Sequence, residues 1–367
     1  MVLIGGPAAA QSGAKGVAPS DEWRALIQEA ATLFFQGKFD SGAAVANKAL
    51  ELAERERGPN HPSVAASLNR LAEIYRAQGR YAAAEPLYKR ALAIREGARN
   101  PDPSATAQAV GNLAQLYVAE GRFTEAEPLM KRALAVVESA HGAEHPDVAT
   151  ALNGLADLYR QQRRFAEAEP LFKRSVAIRQ KVMTPGGAQS GLTLNQVDSS
   201  VNQLAMSLVG LASIYVEQGQ YDAAEPLYKR AIATIDDSRD REHPLMALSL
   251  SGLASLHARQ GEYEAAEVLY KRAVAILENS LDRDHPRMAG VLVGLSEVYG
   301  ARGEYVAAEA LLKRALDIRV TALGERHPLV AITLERLAQV YEKQNKSAEA
   351  KQSTDRAAAI RQSKPRN

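Results

Sequence analysis

Cysteine is absent from the 367 residues of this chain. Without thiols the protein has no disulfide framework, no thiolate nucleophile and no cysteine-ligated zinc site. The chain also has no large excess of charge of one sign, because it contains 45 Lys and Arg residues and 43 Asp and Glu residues. A dedicated nucleic-acid binder needs a dominant phosphate-neutralising surface, and this balance argues against one.

Long apolar runs are missing as well, since no stretch approaches the roughly 18 residues that cross a bilayer. We therefore expect a protein without a membrane span that is soluble or at most peripheral. Residues 1–20 contain a short apolar run with no basic segment before it. They predict a flexible leader or, alternatively, the remnant of an export signal. A cytoplasmic location is favoured over an exported or periplasmic one.

Motifs for phosphate binding and nucleophilic catalysis are not found. The stretch GPAAAQSGAKG (6–16) contains Gly and Lys but lacks the spacing of a P-loop, and no strand precedes it. No nucleophile elbow occurs, and carboxylates are so frequent on the predicted helices that their proximity carries no information about catalysis. We expect no enzyme activity, no catalytic residue, no cofactor and no small-molecule substrate.

Internal repetition, in contrast, is abundant. The segment AEPLYKRAL (84–92) recurs as AEPLMKRAL (126–134), AEPLFKRSV (168–176) and AEPLYKRAI (224–232). Aromatic residues in front of these segments recur at steps of 42, apart from one step of 56 between Phe165 and Tyr221. The extra residues fall at about 183–199, where Pro, Gly and Ser predict a loop insertion.

Each repeat predicts two antiparallel helices. Residues 62–78 place Val64, Leu68 and Leu71 at helical spacing behind a Pro in the first turn, and Gly79 separates them from a second amphipathic segment. One such hairpin cannot bury both apolar stripes, so neighbours must stack into an α-solenoid, with small residues and aromatics in the core. The same registers extend over residues 21–361, which gives an all-α fold of about eight helix pairs.

The two terminal units differ from the rest. The first has Glu29 at a position where an apolar residue is expected, and the last has Ser347 and Thr354 at its aromatic positions. This polar last helix suits a terminal cap. Residues 362–367 are predicted to be a disordered tail.

The repeated residues resemble a known signature. The spacing of Leu71, Ala72, Tyr75, Gly79, Tyr81, Ala84, Tyr88 and Ala91 resembles the tetratricopeptide repeat. The 42-residue period and the His-Pro pair before the first helix resemble the kinesin light chain type of that repeat. The resemblance covers nearly the whole chain after residue 20. It implies a right-handed superhelix whose concave groove, lined mainly by first helices, holds peptide segments of other proteins.

The family's groove positions, matched onto this chain, imply a set of partner-binding residues: Asn69, Glu73, Arg76, Gln115, Asn153, Asp157 and Arg160. Later units place Val209, Ser213, Ser251 and Val293 on the same track, which is less charged. In kinesin light chains the groove resembles a receptor for extended peptides with aromatic and acidic residues, so Arg76 and Arg160 are implied as carboxylate ligands. Internal pairing with Glu73 and Asp157, three residues earlier, is the alternative.

Five of the seven histidines precede a proline: His61, His145, His243, His285 and His327. Equivalent positions in successive units should lie about 16 to 20 Å apart, because packed helices are about 8 to 10 Å apart. One metal ion cannot bridge that distance, so we expect these histidines to cap helices instead and predict no metal site. His141 and His257 have no evident partner in the sequence.

The repeated Lys-Arg pair divides into two residues with different surroundings. A Glu stands four residues before each Lys, as in Glu85 with Lys89, and Lys351 with Asp355 reverses this charge order in the last unit. This spacing predicts structural ion pairs. The Arg, as in Arg90, has no carboxylate at three or four residues. Pairing with a neighbouring helix is favoured, and a line of free cations is the alternative.

The sequence therefore favours a non-enzymatic scaffold or adaptor that binds a peptide segment or partner protein in its concave groove. Two alternatives remain open at this point. One is a helical-repeat nucleic-acid binder that uses the line of arginines, although we do not expect a nucleic-acid partner. The other is a structural subunit that assembles with itself through the stacking ends.

Overall fold

The structure, a computed structural model, describes residues 20–183, 194–236, 243–281 and 284–362. Within them the chain forms sixteen α-helices in eight antiparallel pairs, called units 1 to 8 in chain order, and the second helix of each unit packs on the first helix of the next. The predicted all-α solenoid of eight helix pairs is confirmed. The pairs are α1 (Asp21–Phe35) with α2 (Phe39–Arg57), α3 (Pro62–Ala77) with α4 (Tyr81–Glu96), α5 (Pro103–Ala119) with α6 (Phe123–His141), α7 (Pro146–Gln161) with α8 (Phe165–Met183), α9 (Leu194–Glu217) with α10 (Tyr221–Asp236), α11 (Pro244–Arg259) with α12 (Tyr263–Ser280), α13 (Pro286–Ala301) with α14 (Tyr305–Leu323), and α15 (Pro328–Lys343) with α16 (Ser347–Gln362).

The first helix of five units begins at a His-Pro pair. In each, the histidine Nδ1 accepts a hydrogen bond of 3.1 to 3.2 Å from the backbone N–H two residues further on. Proline occupies the first turn, where a helix makes no use of the missing N–H. The prediction that these histidines cap helices is confirmed.

The turn between the two helices of a unit requires a residue in the left-handed conformation. Glycine occupies this position in six units, with φ between 71° and 83°. Arg163 (φ 59°) and Asn345 (φ 61°) take the same conformation in units 4 and 8. Two units therefore form the same turn without glycine, although L-residues with a side chain rarely adopt this backbone conformation.

A glycine in the first helix of three units makes room for the aromatic ring of the preceding second helix. Phe172 lies against Gly210, and the Tyr228 and Tyr270 rings lie in the same way against Gly252 and Gly294. A Cβ atom at Gly294 would be 2.5 Å from Tyr270 Oη and 2.6 Å from its Cζ. Because these rings are almost completely buried, the predicted packing role of the aromatics is confirmed.

The expected leader, insertion and tail overlap the described residues only in part. Residues 1–19 of the expected leader, 184–193 of the expected insertion and 363–367 of the expected tail lie outside the described residues. The remaining residues of the insertion, Met183 and 194–199, are helical rather than a loop. They contain neither Gly nor Pro, so α9 extends back to Leu194 and reaches 24 residues. Gln362, expected in the tail, is the last residue of α16.

Helix α9 also corrects the expectation about apolar runs. Among the described residues, Ser199–Glu217 is one stretch that is long and apolar enough to cross a membrane by length and composition alone. It carries no charged residue before Glu217. However, 67% of it is buried inside the structure, as expected for a core helix of a solenoid.

Candidate functional site

The first helices of units 2, 3 and 4 form a cleft of about 150 Å³. Helices α3, α5 and α7 provide its polar wall, and Met130 and Val118 provide apolar surface. Stacked units place equivalent positions side by side, so side chains far apart in sequence meet here. Four of the seven predicted partner-binding residues line this cleft: Arg76, Gln115, Asn153 and Asp157.

The Asn153 carboxamide is held rigidly at the wall of the cleft. Its Nδ2 donates a hydrogen bond of 2.8 Å to Ser207 Oγ, and that hydroxyl lies 3.0 Å from Ser175 Oγ. Only 4% of Asn153 is exposed, and its Oδ1 is buried without a hydrogen-bond partner. Leaving a buried acceptor unsatisfied costs about 1 to 3 kcal/mol. A ligand N–H that reached this oxygen would remove that cost.

Arg76 is the cation of the cleft. The alternative of internal pairing with Glu73 does not hold for Arg76, because Glu73 accepts a hydrogen bond of 2.5 Å from Arg70 Nη1, on its other side along α3. In the described part of the chain Arg76 makes no ion pair with a carboxylate. Burial raises the pKa of the nearby Tyr88 hydroxyl to about 12, although the positive charge of Arg76 opposes this shift. Its charge therefore remains available to a ligand.

Arg160 differs from Arg76, because two carboxylates neutralise it. Its guanidinium lies 2.8 Å from Asp157 Oδ1 and 2.8 Å from Glu217 Oε1. The alternative of internal pairing is thus confirmed for Arg160, and it does not line the cleft. Asp157 also accepts a hydrogen bond of 3.1 Å from Gln161 Nε2.

The two remaining predicted residues lie outside the wall of the cleft. Asn69 occupies in unit 2 the position that Asn153 has in unit 4, and its Oδ1 is likewise buried without a partner. Glu73 is engaged by Arg70, and burial raises the pKa of the Glu73 carboxyl. The unsatisfied acceptor thus occurs twice along the groove.

The later half of the groove has a different surface. Two of its carboxylates are paired, Glu297 with Arg336 at 3.1 Å and Glu335 with Arg361 of the last helix at 2.6 Å. Exposed apolar side chains lie on α11 and α15, where Leu248 is 44% and Ile332 38% exposed. The sequence predicted a less charged surface for this half of the groove.

The repeated lysines on the second helices form ion pairs with the glutamates four residues before them. All six predicted Glu-Lys pairs form, with distances of 2.6 to 2.8 Å between carboxylate and ammonium. The reversed pair is wrong, because among the described residues Lys351 and Asp355 form no ion pair. Both side chains are exposed, and exposed pairs of this kind contribute little.

The glutamate of each pair also connects successive units. Glu85 accepts hydrogen bonds from Tyr117 Oη at 3.0 Å and from Arg122 Nη1 at 3.1 Å. Lys89, the nearest donor, is the largest cause of a Glu85 pKa of about 2. Glu127 repeats the arrangement with Tyr159 and Arg164, and hydrogen bonding to Arg164 first, then Lys131, lowers its pKa to about 2. Sequence analysis missed this contact between units.

The repeated arginines pair with carboxylates of the preceding unit. Arg90 lies 2.6 Å from Glu54, Arg174 2.7 Å from Glu138 and Arg314 2.9 Å from Glu278. Arg230 faces the Gln180 carboxamide instead. The favoured prediction of pairing with a neighbouring helix is confirmed. The remaining pairs are Arg132 with Glu96, Arg272 with Asp236 and Arg356 with Glu325.

Two histidines have partners that the sequence did not reveal. His141 Nε2 lies 2.9 Å from Ser104 Oγ, and its ring stacks on that of His145 with centroids 4.5 Å apart. His257 lies 2.5 Å from Glu262. The expectation that neither has an evident partner is wrong, because the partners come from a neighbouring unit or a turn. Among the described residues no group of three or more His, Asp or Glu converges on a metal position.

Comparison with known proteins relates the fold to characterised ones. A family model described as "Tetratricopeptide repeat" matches residues 24–97, 105–181, 203–279 and 287–363. No curated protein matches the sequence. The apo form of the quorum sensor NprR from B. thuringiensis is similar in structure, with 13% identity, a TM-score of 0.58, and coverage of 94% of this chain and 89% of that one.

Two further solved structures are similar. Aspartyl phosphate phosphatase F from Bacillus subtilis has 11% identity, a TM-score of 0.57, and coverage of 95% of this chain and 97% of that one. A putative kinesin light chain from Podosopora anserina has 25% identity, a TM-score of 0.44, and coverage of 60% of this chain and 98% of that one. NprR has also been solved in complex with its cognate peptide NprX. At these identities the bacterial structures share the fold alone.

Proposed function

The chain belongs to the tetratricopeptide repeat family, and we propose that it is a non-enzymatic scaffold that binds an extended segment of a partner protein in its concave groove. The binding segment lies across the cleft lined by Arg76, Gln115, Asn153 and Asp157. The observation that carries the proposal is the buried and unsatisfied Oδ1 of Asn153 at the wall of this cleft.

A peptide backbone supplies the group that Asn153 lacks. The Asn153 amide is fixed by Ser207, so its carbonyl oxygen is the atom left to accept a hydrogen bond. An extended segment presents N–H groups at regular spacing, and Asn69, two units earlier, offers a second unsatisfied oxygen along the same groove. Peptide segments use such backbone contacts for affinity and side-chain pockets for specificity.

Charge and size define the segment further. Arg76 has no carboxylate partner in the described residues, so a Glu or Asp of the segment, or its terminal carboxylate, fits there. The cleft of about 150 Å³ is smaller than the roughly 300 to 1,000 Å³ typical of small-molecule sites. It accommodates one side chain, with Met130 and Val118 as its apolar surface. This favours a peptide over a small-molecule ligand.

The alternatives receive less support. Six of the seven arginines that would form a nucleic-acid surface are paired with carboxylates, as Arg90 is with Glu54. Self-assembly through the last helix is disfavoured because α16 is mostly polar. Only its residues Ala350, Ser353 and Ala357 are buried. The similarity to NprR, which has been solved with its cognate peptide, supports a peptide ligand by fold alone.

A selection from a library of random dodecapeptides tests this function. The protein is immobilised and the retained peptides are sequenced. We expect enrichment of peptides that carry an acidic residue beside an apolar one, and their loss when Arg76→Glu reverses the charge of the cleft. Charge reversal of Arg90, on the outer face, serves as the matched control and should retain the same peptides. Absence of enrichment, or equal loss in both variants, would contradict the proposal.

A further inference from the structure

The turns of the first two units touch the beginnings of the last two. A Cβ atom at Gly37 would lie 2.6 Å from Pro286 Cδ, and one at Gly79 would lie 2.9 Å from His327 Cδ2. Ala322, near the end of α14, packs against the apolar cluster of units 1 and 2 that contains Phe34. These contacts join units that are not neighbours in the stack. They therefore arise because the superhelix brings the end of the chain back beside its beginning.

The geometry of these contacts is regular. Gly37 and Gly79 are the left-handed turn residues of units 1 and 2, and Pro286 and His327 stand at the start of units 7 and 8. The contacts therefore join unit 1 to unit 7 and unit 2 to unit 8, as expected where one superhelical turn meets the next. The turn glycines of the other units, in contrast, meet nothing within 4 Å: Gly121, Gly219, Gly261 and Gly303.

We propose that Gly37, Gly79, Pro286 and His327 form a latch that closes the superhelical turn around the groove, and that large molecules reach the cleft only when the latch opens. Consecutive units pack through clusters of buried apolar residues, whereas the latch joins turns and the ends of helices. The latch can therefore open while the cores stay packed. This gate concerns access to the cleft and holds whether or not a peptide is the natural ligand.

The latch can be broken with a substitution that the fold already accepts. Asn345 occupies the same turn position in unit 8 with φ 61°, so asparagine tolerates this backbone conformation. The test variant carries Gly37→Asn and Gly79→Asn, which place side-chain atoms where Pro286 and His327 stand. The control variant carries Gly121→Asn and Gly219→Asn, which impose the same backbone conformation without a neighbour within 4 Å. Circular dichroism establishes that both fold.

Closure is measured with two labels. The chain has no cysteine, so Ser41→Cys and Asp284→Cys, both on the exposed surface beside the latch, take a donor and an acceptor dye without interference. We expect efficient energy transfer in the wild-type background and in the control variant, and lower transfer in the test variant. Low transfer in the wild-type background, or equal transfer in all three, would overturn the latch.

Access is measured with a thiol in the cleft. Gln115→Cys is treated with iodoacetamide and with a maleimide carrying a 20-kDa polyethylene glycol, and Ala93→Cys, exposed on α4, corrects for intrinsic reactivity. We expect the large reagent to react at least about tenfold more slowly in the cleft, because open minor states are populated at roughly 10% or less. The test variant should remove this difference and the control variant keep it. No size dependence, or the same loss in both variants, would overturn the gate.

Discussion

The guanidinium of Arg90 and the carboxylate of Glu54 lie 2.6 Å apart on the second helices of consecutive units. The same contact recurs along the solenoid, for example between Arg314 and Glu278. The repeated arginine of the Lys-Arg pair therefore connects one unit to the next. Function is better sought in the concave groove, where polar groups remain without partners.

The pairing of Arg90 with Glu54 predicts a measurable coupling. We expect Arg90→Ala and Glu54→Ala each to lower the free energy of unfolding, and the double variant to lower it by less than their sum. The coupling should be roughly 0.2 to 1 kcal/mol, because both side chains are partly exposed. Urea denaturation of the four proteins gives this value. Additive effects would show that the contact does not contribute to stability.

The paired arginines also predict an absence of nucleic-acid affinity. A protein that binds phosphates through a line of free cations loses affinity steeply with salt. Here Arg174 and five of its equivalents are engaged by carboxylates, so we expect no gel shift of RNA or DNA at low ionic strength. A shift that disappears on adding salt and in an Arg174→Ala variant would restore the nucleic-acid alternative.

The contact of Glu127 with the next unit predicts a dependence on pH. The folded-state pKa of Glu127 is about 2 against an ordinary value of 4.5, so the unfolded chain binds this proton more readily. Its contribution to stability is therefore complete above about pH 4.5 and is lost as the pH falls toward 2. Glu127→Gln should lose less stability than the wild type over this range in urea titrations. Glu349→Gln, an exposed position on α16, should follow the wild type, and parallel curves for all three would contradict the assignment.

The packing of Tyr270 on Gly294 predicts opposite effects of two alanines in α13. Gly294→Ala places a Cβ within 2.5 Å of Tyr270 Oη, and overpacking of this kind costs about 1 to 3 kcal/mol. Gly290→Ala meets nothing within 4 Å and should stabilise by about 0.4 to 1 kcal/mol. Thermal denaturation compares the two. A stable Gly294→Ala variant would mean that the ring moves aside freely.

The sequence predicted the helices and their order well, because apolar spacing, His-Pro starts and turn glycines recur in unit after unit. It predicted four residues of the cleft through family positions, since stacking fixes which side of a first helix faces the groove. The sequence did not predict the ion pair of a side chain that has more than one oppositely charged neighbour. Glu73 has cations on both sides along α3, and spacing alone did not decide between Arg70 and Arg76.

The features that the sequence did not reveal are contacts between distant parts of the chain. The hydrogen bond between Glu85 and Tyr117 can be predicted only when the position of one unit on the next is known. The contact between Gly79 and His327 depends on the pitch of a whole superhelical turn, which accumulates from small rotations between units. Neither quantity is encoded in a local pattern.

The most direct test of the central claim is the affinity of a selected peptide for three proteins. The dissociation constant is measured by fluorescence polarisation for the wild type, for Arg76→Ala with Asn153→Ala in the cleft, and for Lys89→Ala with Arg90→Ala on the outer face. We expect the cleft variant to bind at least about tenfold more weakly, since one hydrogen bond to a charged group contributes about 1.5 to 3 kcal/mol. The outer-face variant should match the wild type. Unchanged affinity in the cleft variant, or loss in the outer-face variant alone, would contradict the account.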